Sequence, residues 1–293
     1  MGKLYLFGDS FTAEPPTNDT SALKLTRTVD TNNVWTYKLA EMLDCKPIFV
    51  AVNGSGLDYA QFQFNKRLRK FNKNNDYIII SHTAPSRRWF VEKAPHCSNF
   101  LNYIHSNGEL DTGWLKQMLG GKEVASNGVQ SMFQADIGRH YALGIARPEL
   151  EHLYGESIIT YFRHYQKQGY NIINLPATHE PDSYNIEHNE FFKTIGNIDT
   201  VARNEFKGKN KLKAFTEILQ GADGRVNHLS KENHEIFTQK LYKTFTESAD
   251  LDLTTDFKQN FITKENWDTY NTTGVIPTAN DSNESGFSYN GYN

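Results

Sequence analysis

Short continuous apolar runs alternate with amphipathic stretches along the first part of the chain. Residues 4–7 (Leu-Tyr-Leu-Phe), 48–52 (Ile-Phe-Val-Ala-Val) and 77–80 (Tyr-Ile-Ile-Ile) have the length and unbroken apolarity of strands buried on both faces of a parallel sheet. Between the first two runs, 34–43 places Val34, Tyr37, Leu39, Ala40 and Leu43 at helical spacing, with Asn32 or Asn33 available as cap. Pro47 reads as the stop before the second strand, 59–71 as a basic amphipathic helix, and Asp76 as the lead into the third strand. Strand, helix, strand, helix, strand in this order predicts an α/β fold with a doubly wound parallel sheet.

The middle of the chain breaks this rhythm. Residues 91–148 hold no strong strand, several Gly, Asn and His, and short apolar segments such as 114–119. They predict a mostly helical insertion, either a wall or lid over a site or a packing excursion without a role in function. Regularity returns with a helix over 148–168, closed by Gly169, and a strand over 170–176. Polar loops follow, then a helix over 206–220 and a last helix over 230–247, where Ser230 and Asn233 form a partial capping box. The remainder is rich in Thr, Asn, Asp and Ser but keeps Phe257, Phe261, Trp267, Phe287, Tyr289 and Tyr292, the composition of an extension that docks on something. No internal repeat is visible. The expected organisation is one α/β domain over 1–248, interrupted by the insertion at about 91–148, with a polar extension over 249–293.

Composition narrows the classes. A net charge of -3 over 293 residues supplies no basic field for nucleic acid, and Lys66, Arg67, Arg69 and Lys70 suit a solvated helix face. A mean hydropathy of -0.62 and the absence of a run near the roughly 20 residues of a membrane helix predict a soluble chain. The amino terminus shows no charged and apolar regions of a secretory leader, and Leu6 stands where a myristoylation signal wants Ser or Thr. Two cysteines, Cys45 and Cys97, are too few for a disulfide scaffold and are expected as free thiols in a reducing compartment. No histidine or cysteine cluster suggests a metal, and no cofactor is expected.

The chemistry is concentrated where strands end. The first run leads into Gly8-Asp9-Ser10-Phe11-Thr12, which places Ser10 at the carboxyl end of a parallel strand, the edge where α/β sheets bind ligands. Gly-Asp-Ser is also an ordinary turn triplet. What favours a nucleophile is the long polar loop that follows it and the small polar residues at the next two strand exits, Asn53-Gly54-Ser55-Gly56 and Ser81-His82-Thr83. A serine nucleophile needs a base. His228, in the loop directly before the last helix, is the candidate; His234, along that helix, reads as surface or packing.

In this arrangement the chain resembles the SGNH, or GDSL-type, hydrolases, and in texture most closely their divergent members in tailed bacteriophages. Gly8-Asp9-Ser10 matches the family's first block, Asn53-Gly54-Ser55-Gly56 resembles the second, and His228-Leu229-Ser230 looks like the final block running into the last helix. The resemblance implies a three-layer, flavodoxin-like α/β/α sandwich and a serine esterase, with carbohydrate O-acetyl groups a plausible substrate. It also implies an oxyanion hole built from the backbone N–H groups of Ser10 and Gly56, the latter in preference to Gly54. Two blocks depart from the pattern. Thr83 aligns with the third-block asparagine, so its hydroxyl, or His82 beside it, would have to donate instead. Arg225 stands where the final block's acid belongs, leaving Asp223 either to reach His228 through a turn at Gly224 or to be a plain Asp-Gly turn. Arg87 and Arg88 would clamp an acidic substrate or form surface ion pairs. These departures keep open an alternative, a catalytically weak or inactive binding protein on the same scaffold, for example a virion component with a protein partner on its extension. The expected location is accordingly the cytoplasm of a host cell or a virion, away from nucleic acid and membranes.

Overall fold

A computed structural model describes residues 1–9, 11–14, 34–52, 55–83, 87–88, 98–99, 148–177, 194–208 and 229–263. The chain begins with strand β1 (Gly2–Phe7), followed by helix α1 (Trp35–Met42), strand β2 (Cys45–Phe49), helix α2 (Leu57–Arg67) with a closing 3-10 turn, and strand β3 (Tyr77–His82). The two-residue strands β4 (Arg87–Arg88) and β5 (Ser98–Asn99) pair antiparallel. Helix α3 (Pro148–Lys167) leads into β6 (Asn171–Pro176); then come β7 (Thr194–Ile195), α4 (Ile198–Asn204), α5 (Lys231–Glu247) and β8 (Leu251–Asp252).

Four of these strands form one sheet in the order β2-β1-β3-β6, every neighbour parallel. Side chains alternate across it. Leu4, Leu6, Ile79, Ile173 and Leu175 share one core with Trp35 and Leu39 of α1 and Phe237 and Leu241 of α5. Tyr5, Phe7, Ile78, Ile80 and Ile172 share the other with Leu57 and Phe64 of α2 and Ile158 and Phe162 of α3. Helices on both faces are why the inner strands read as continuous apolar runs, and each fully buried Leu, Ile or Phe contributes about 1.5–3 kcal/mol. Phe64 is the centre of the second core, its ring 5.8 Å from that of Phe7 and 5.3 Å from that of Phe162.

Several sequence expectations shift. The second strand lies at Cys45–Phe49, ahead of the expected 48–52, and includes Pro47, which pairs with Leu4. As β2 is an outer strand of this sheet, a proline there need not donate to a further neighbour, so Pro47 does not end it. The N-cap of α1 is Val34, with no side-chain cap of its own, whereas Asn32 and Asn33 lie outside the described residues. The Trp35 N–H, one of the donors a helix start leaves over, instead points to His234 Nδ1 of α5 at 3.5 Å.

The helix expected from 206 does not start there. Phe206 forms an isolated parallel bridge with Ile262, and 209–220 lie outside the described residues. The helix in this region is α4, upstream, in a stretch expected as polar loop. Its cap is Asn197, whose side chain accepts from the Thr200 N–H at 2.7 Å, and Asp199 pairs with Arg203 at 2.7 Å, one turn on. Within the expected insertion only Ser98, Asn99 and the start of α3 are described. The described residues beyond α5, up to 263, stay in contact with the body of the molecule: β8 pairs with β7, and Leu251, Leu253 and Phe257 belong to the same core as Leu4. Among the described residues no helix is long and apolar enough to cross a membrane.

Candidate functional site

From β1 the chain passes through α1 to β2 on one side, whereas β3 connects to β6 on the other. The carboxyl ends of β1 and β3 are therefore the point where connections leave in opposite directions, the place at which open parallel sheets bind ligands. The first two residues of the Gly-Asp-Ser block occupy it. Gly8 has φ +121°, and a Cβ there would sit 2.5 Å from the Ser81 Cβ. Only glycine meets both demands.

Three strand exits are tied together by buried hydrogen bonds around this glycine. Ser55, just beyond β2, donates its hydroxyl to the Gly8 carbonyl at 2.6 Å, and the Val52 N–H donates to the same oxygen at 3.2 Å. Ser81, in β3, donates its hydroxyl to Asp9 Oδ1 at 3.1 Å, and that oxygen also accepts the Phe11 N–H at 3.2 Å. The Asp9 carbonyl accepts from Thr12 and Ala13, and the Thr12 hydroxyl reaches back to the Phe7 carbonyl at 2.9 Å. Asp9, Thr12, Ser55 and Ser81 are all fully buried. The carboxylate of Asp9 thus ties Phe11 to β3.

Ser10 itself lies outside the described residues, as do Asn53, Gly54, Asp223 and His228. Gly56 is described: it is the N-cap of α2, with extended backbone (φ -95°, ψ 173°), and its carbonyl accepts the Ala60 N–H. An N-cap places it at the positive end of the helix, favourable ground for a developing negative charge. Thr83 is fully buried directly after β3. Arg87 and Arg88 form β4, a few residues past the same exit.

His82 is buried on the α2 and α3 side of the sheet, where Ile78 and Ile80 also point. Its Nε2 lies 2.9 Å from Asn174 Oδ1 in β6, so with the amide in this orientation Nε2–H donates; Phe162 meets the ring edge-on at 6.0 Å between centroids. Asn174 is fully buried, and its Nδ2 has no hydrogen-bond partner among the described residues. Asn174 was not among the expected site residues, since it stands inside an apolar strand; the amide within that Ile-Ile-Asn-Leu run was the signal available.

On the other side of the sheet, α5 starts directly after the segment that carries His228. Its N-cap is Ser230, whose hydroxyl accepts the Asn233 N–H at 3.2 Å, in keeping with the partial capping box. His234 is buried between α5 and α1 and belongs to packing. Cys45 is a free thiol, pushed above its ordinary pKa by burial and then by the Asp44 and Asp76 charges, and so stays protonated at neutral pH; Cys97 lies outside the described residues. Among the described residues no group of three or more His, Cys, Asp or Glu could hold a metal ion.

No family model, no curated protein and no solved structure matches the chain.

Proposed function

We propose that the protein is a serine esterase of the SGNH type, on a three-layer flavodoxin-like scaffold. The observation that carries this reading is the convergence of the three strand exits through the buried Ser55–Gly8 and Ser81–Asp9 hydrogen bonds. It fits a platform that holds a nucleophile block in place better than a simple turn, which would need no buried carboxylate and no bond to a neighbouring strand.

In this reading Ser10 Oγ attacks the carbonyl carbon of an ester and its proton passes to His228. The backbone N–H groups of Ser10 and Gly56 receive the charge on the carbonyl oxygen, with the Thr83 hydroxyl as a further donor; His82, the alternative donor, has its Nε2–H committed to Asn174. His228 then protonates the leaving alcohol, and water, deprotonated by the same imidazole, releases the acid. Asp223 completes the triad if its turn reaches the imidazole; a backbone carbonyl would otherwise orient the ring. No metal or organic cofactor enters these steps. Carbohydrate O-acetyl esters are the favoured substrate class, on the family resemblance. The purified protein should hydrolyse p-nitrophenyl acetate and Ser10→Ala should abolish turnover while leaving the far-UV circular dichroism unchanged. Equal rates in the two proteins would contradict it.

A second reading, a binding protein on the same scaffold, is favoured by Thr83 and Arg225 at the third-block asparagine and final-block acid positions. Loss of one oxyanion donor costs on the order of 100-fold to 1000-fold in rate. This reading predicts equal, background-level hydrolysis in both proteins, with function in a partner bound through the extension.

A further inference from the structure

Glu205 is a carboxylate that the sequence did not single out. It is fully buried and stands at the carboxyl end of α4, where a negative charge is disfavoured by that helix's own dipole. What stabilises it is the start of α5. Glu205 Oε1 accepts the Ser230 backbone N–H at 2.8 Å and the Asn233 side-chain amide at 2.7 Å. Asn233 in turn holds the backbone of Lys258, its Oδ1 accepting the Lys258 N–H at 2.8 Å and its Nδ2 donating to the Lys258 carbonyl at 3.0 Å. The Glu205 carbonyl accepts the N–H groups of Phe261 and Ile262 at 2.9 and 2.8 Å. The Glu205 side chain thereby joins the end of α4 to the first turn of α5, and its carbonyl together with the Asn233 side chain holds the 258–262 segment.

The residue it grips is two positions from His228. Leu229, between them, is itself buried in the core shared with Phe11, which follows Ser10. Hydrogen bonds to buried backbone are directional, so the point at which the chain enters α5 is fixed relative to the end of α4 by this side chain, while Leu229 packs into the core that also holds Phe11. We propose that Glu205 is the positioning residue for the catalytic base, acting through Ser230 and Asn233. This rests on the esterase reading. It adds to that reading a buried anchor two residues from the base.

The test measures kcat on an activated ester, divided by the fraction of Ser10 that a fluorophosphonate titrates, for the wild type, E205A, E205Q and N233A in the full chain. A displacement of about 1 Å at a reacting group can cost up to roughly 100-fold, so E205A should lose about 10-fold or more in kcat per titrated serine with little change in KM. E205Q keeps a carbonyl oxygen for the Ser230 N–H and should return to within about 3-fold of wild type. A role confined to stability would lower the titratable fraction and the Tm and leave kcat per titrated serine unchanged, which overturns the proposal. E205Q as slow as E205A also overturns it, because the loss would not then run through the hydrogen bond. Should E205A fail to fold, N233A decides: a reduced kcat per titrated serine supports the anchor, and a wild-type value overturns it. Ser10→Ala in the same assay separates the two claims. If it keeps wild-type activity the esterase reading falls; if it is inactive while E205A turns over at the wild-type rate per serine, only the anchor falls.

Discussion

At the scale of single residues, the site rests on groups that tolerate no ordinary replacement. Gly8 combines a left-handed φ of +121° with 2.5 Å of room to the Ser81 Cβ. Gly8→Ala should therefore cost at least about 2 kcal/mol, from backbone strain and from displacement of β3 at Ser81, measured as a lowered urea midpoint at unchanged m. A loss below about 0.5 kcal/mol would show that the turn relaxes easily and would weaken the picture of a rigid platform. Part of this was legible in the sequence. Glycine directly after an apolar strand and before Asp-Ser announces a tight strand exit, and Ser55 and Ser81 stood at the two other exits. Asn174 and Glu205 were not legible, because their meaning lies in partners far along the chain: His82 is 92 residues from Asn174, and Ser230 and Asn233 are 25 and 28 from Glu205. The apolar run around Asn174 marks it as buried but does not name its partner, and nothing local marks Glu205 as buried.

At the scale of elements, the strands and helices that a buried apolar face dictates were readable, and those made by capping or edge position were not. β1 and β3 sit inside the sheet and show as unbroken apolar runs. β2 lies at its side, half-exposed, so its sequence Cys-Lys-Pro-Ile-Phe looks unlike a strand and Pro47 looks like a stop. α4 has seven residues, too few for a clear periodicity, and owes its start to the Asn197 cap. β8 and the loop after it read as polar extension, yet Asp252 organises them: its carboxylate accepts the Thr254 and Thr255 hydroxyls, both at 2.6 Å, and the Thr254 N–H at 2.7 Å. Burial acts to raise the Asp252 pKa, but these hydrogen bonds and the Lys240 charge outweigh it and hold the carboxyl below its ordinary value. A folded pKa below the unfolded value of about 3.9 adds stability that is complete above that pH and fades as the pH falls through the folded pKa. Asp252→Asn should thus lower the urea midpoint clearly at pH 7, with a gap to wild type that narrows below about pH 4. A gap that is constant with pH would mean the aspartate's charge plays no part.

At the scale of the whole molecule, the alternation of strand and helix pointed to a parallel α/β sheet, and the sheet is parallel with helices on both faces. The strand order was not written in the apolar pattern. It follows from which side each crossover takes, and it puts the Gly8-Asp9 turn at the point where connections diverge. The segment after α5 was expected as a polar extension whose aromatics dock on something, and in its described part Leu251, Leu253 and Phe257 share the core of β1; a few buried side chains among many polar ones are enough to bind a segment to the fold. Two blocks of the site sit on this framework through backbone and buried side chains, and the first block carries the serine on which the functional reading turns. The central claim is that Ser10 is an activated nucleophile, and intact-mass analysis after incubation with a fluorophosphonate tests it most directly. The reading predicts one adduct per chain, mapped by peptide mass to Ser10 and absent from Ser10→Ala and from protein unfolded in urea. No adduct on the folded wild-type protein, or an adduct elsewhere that survives Ser10→Ala, would contradict it.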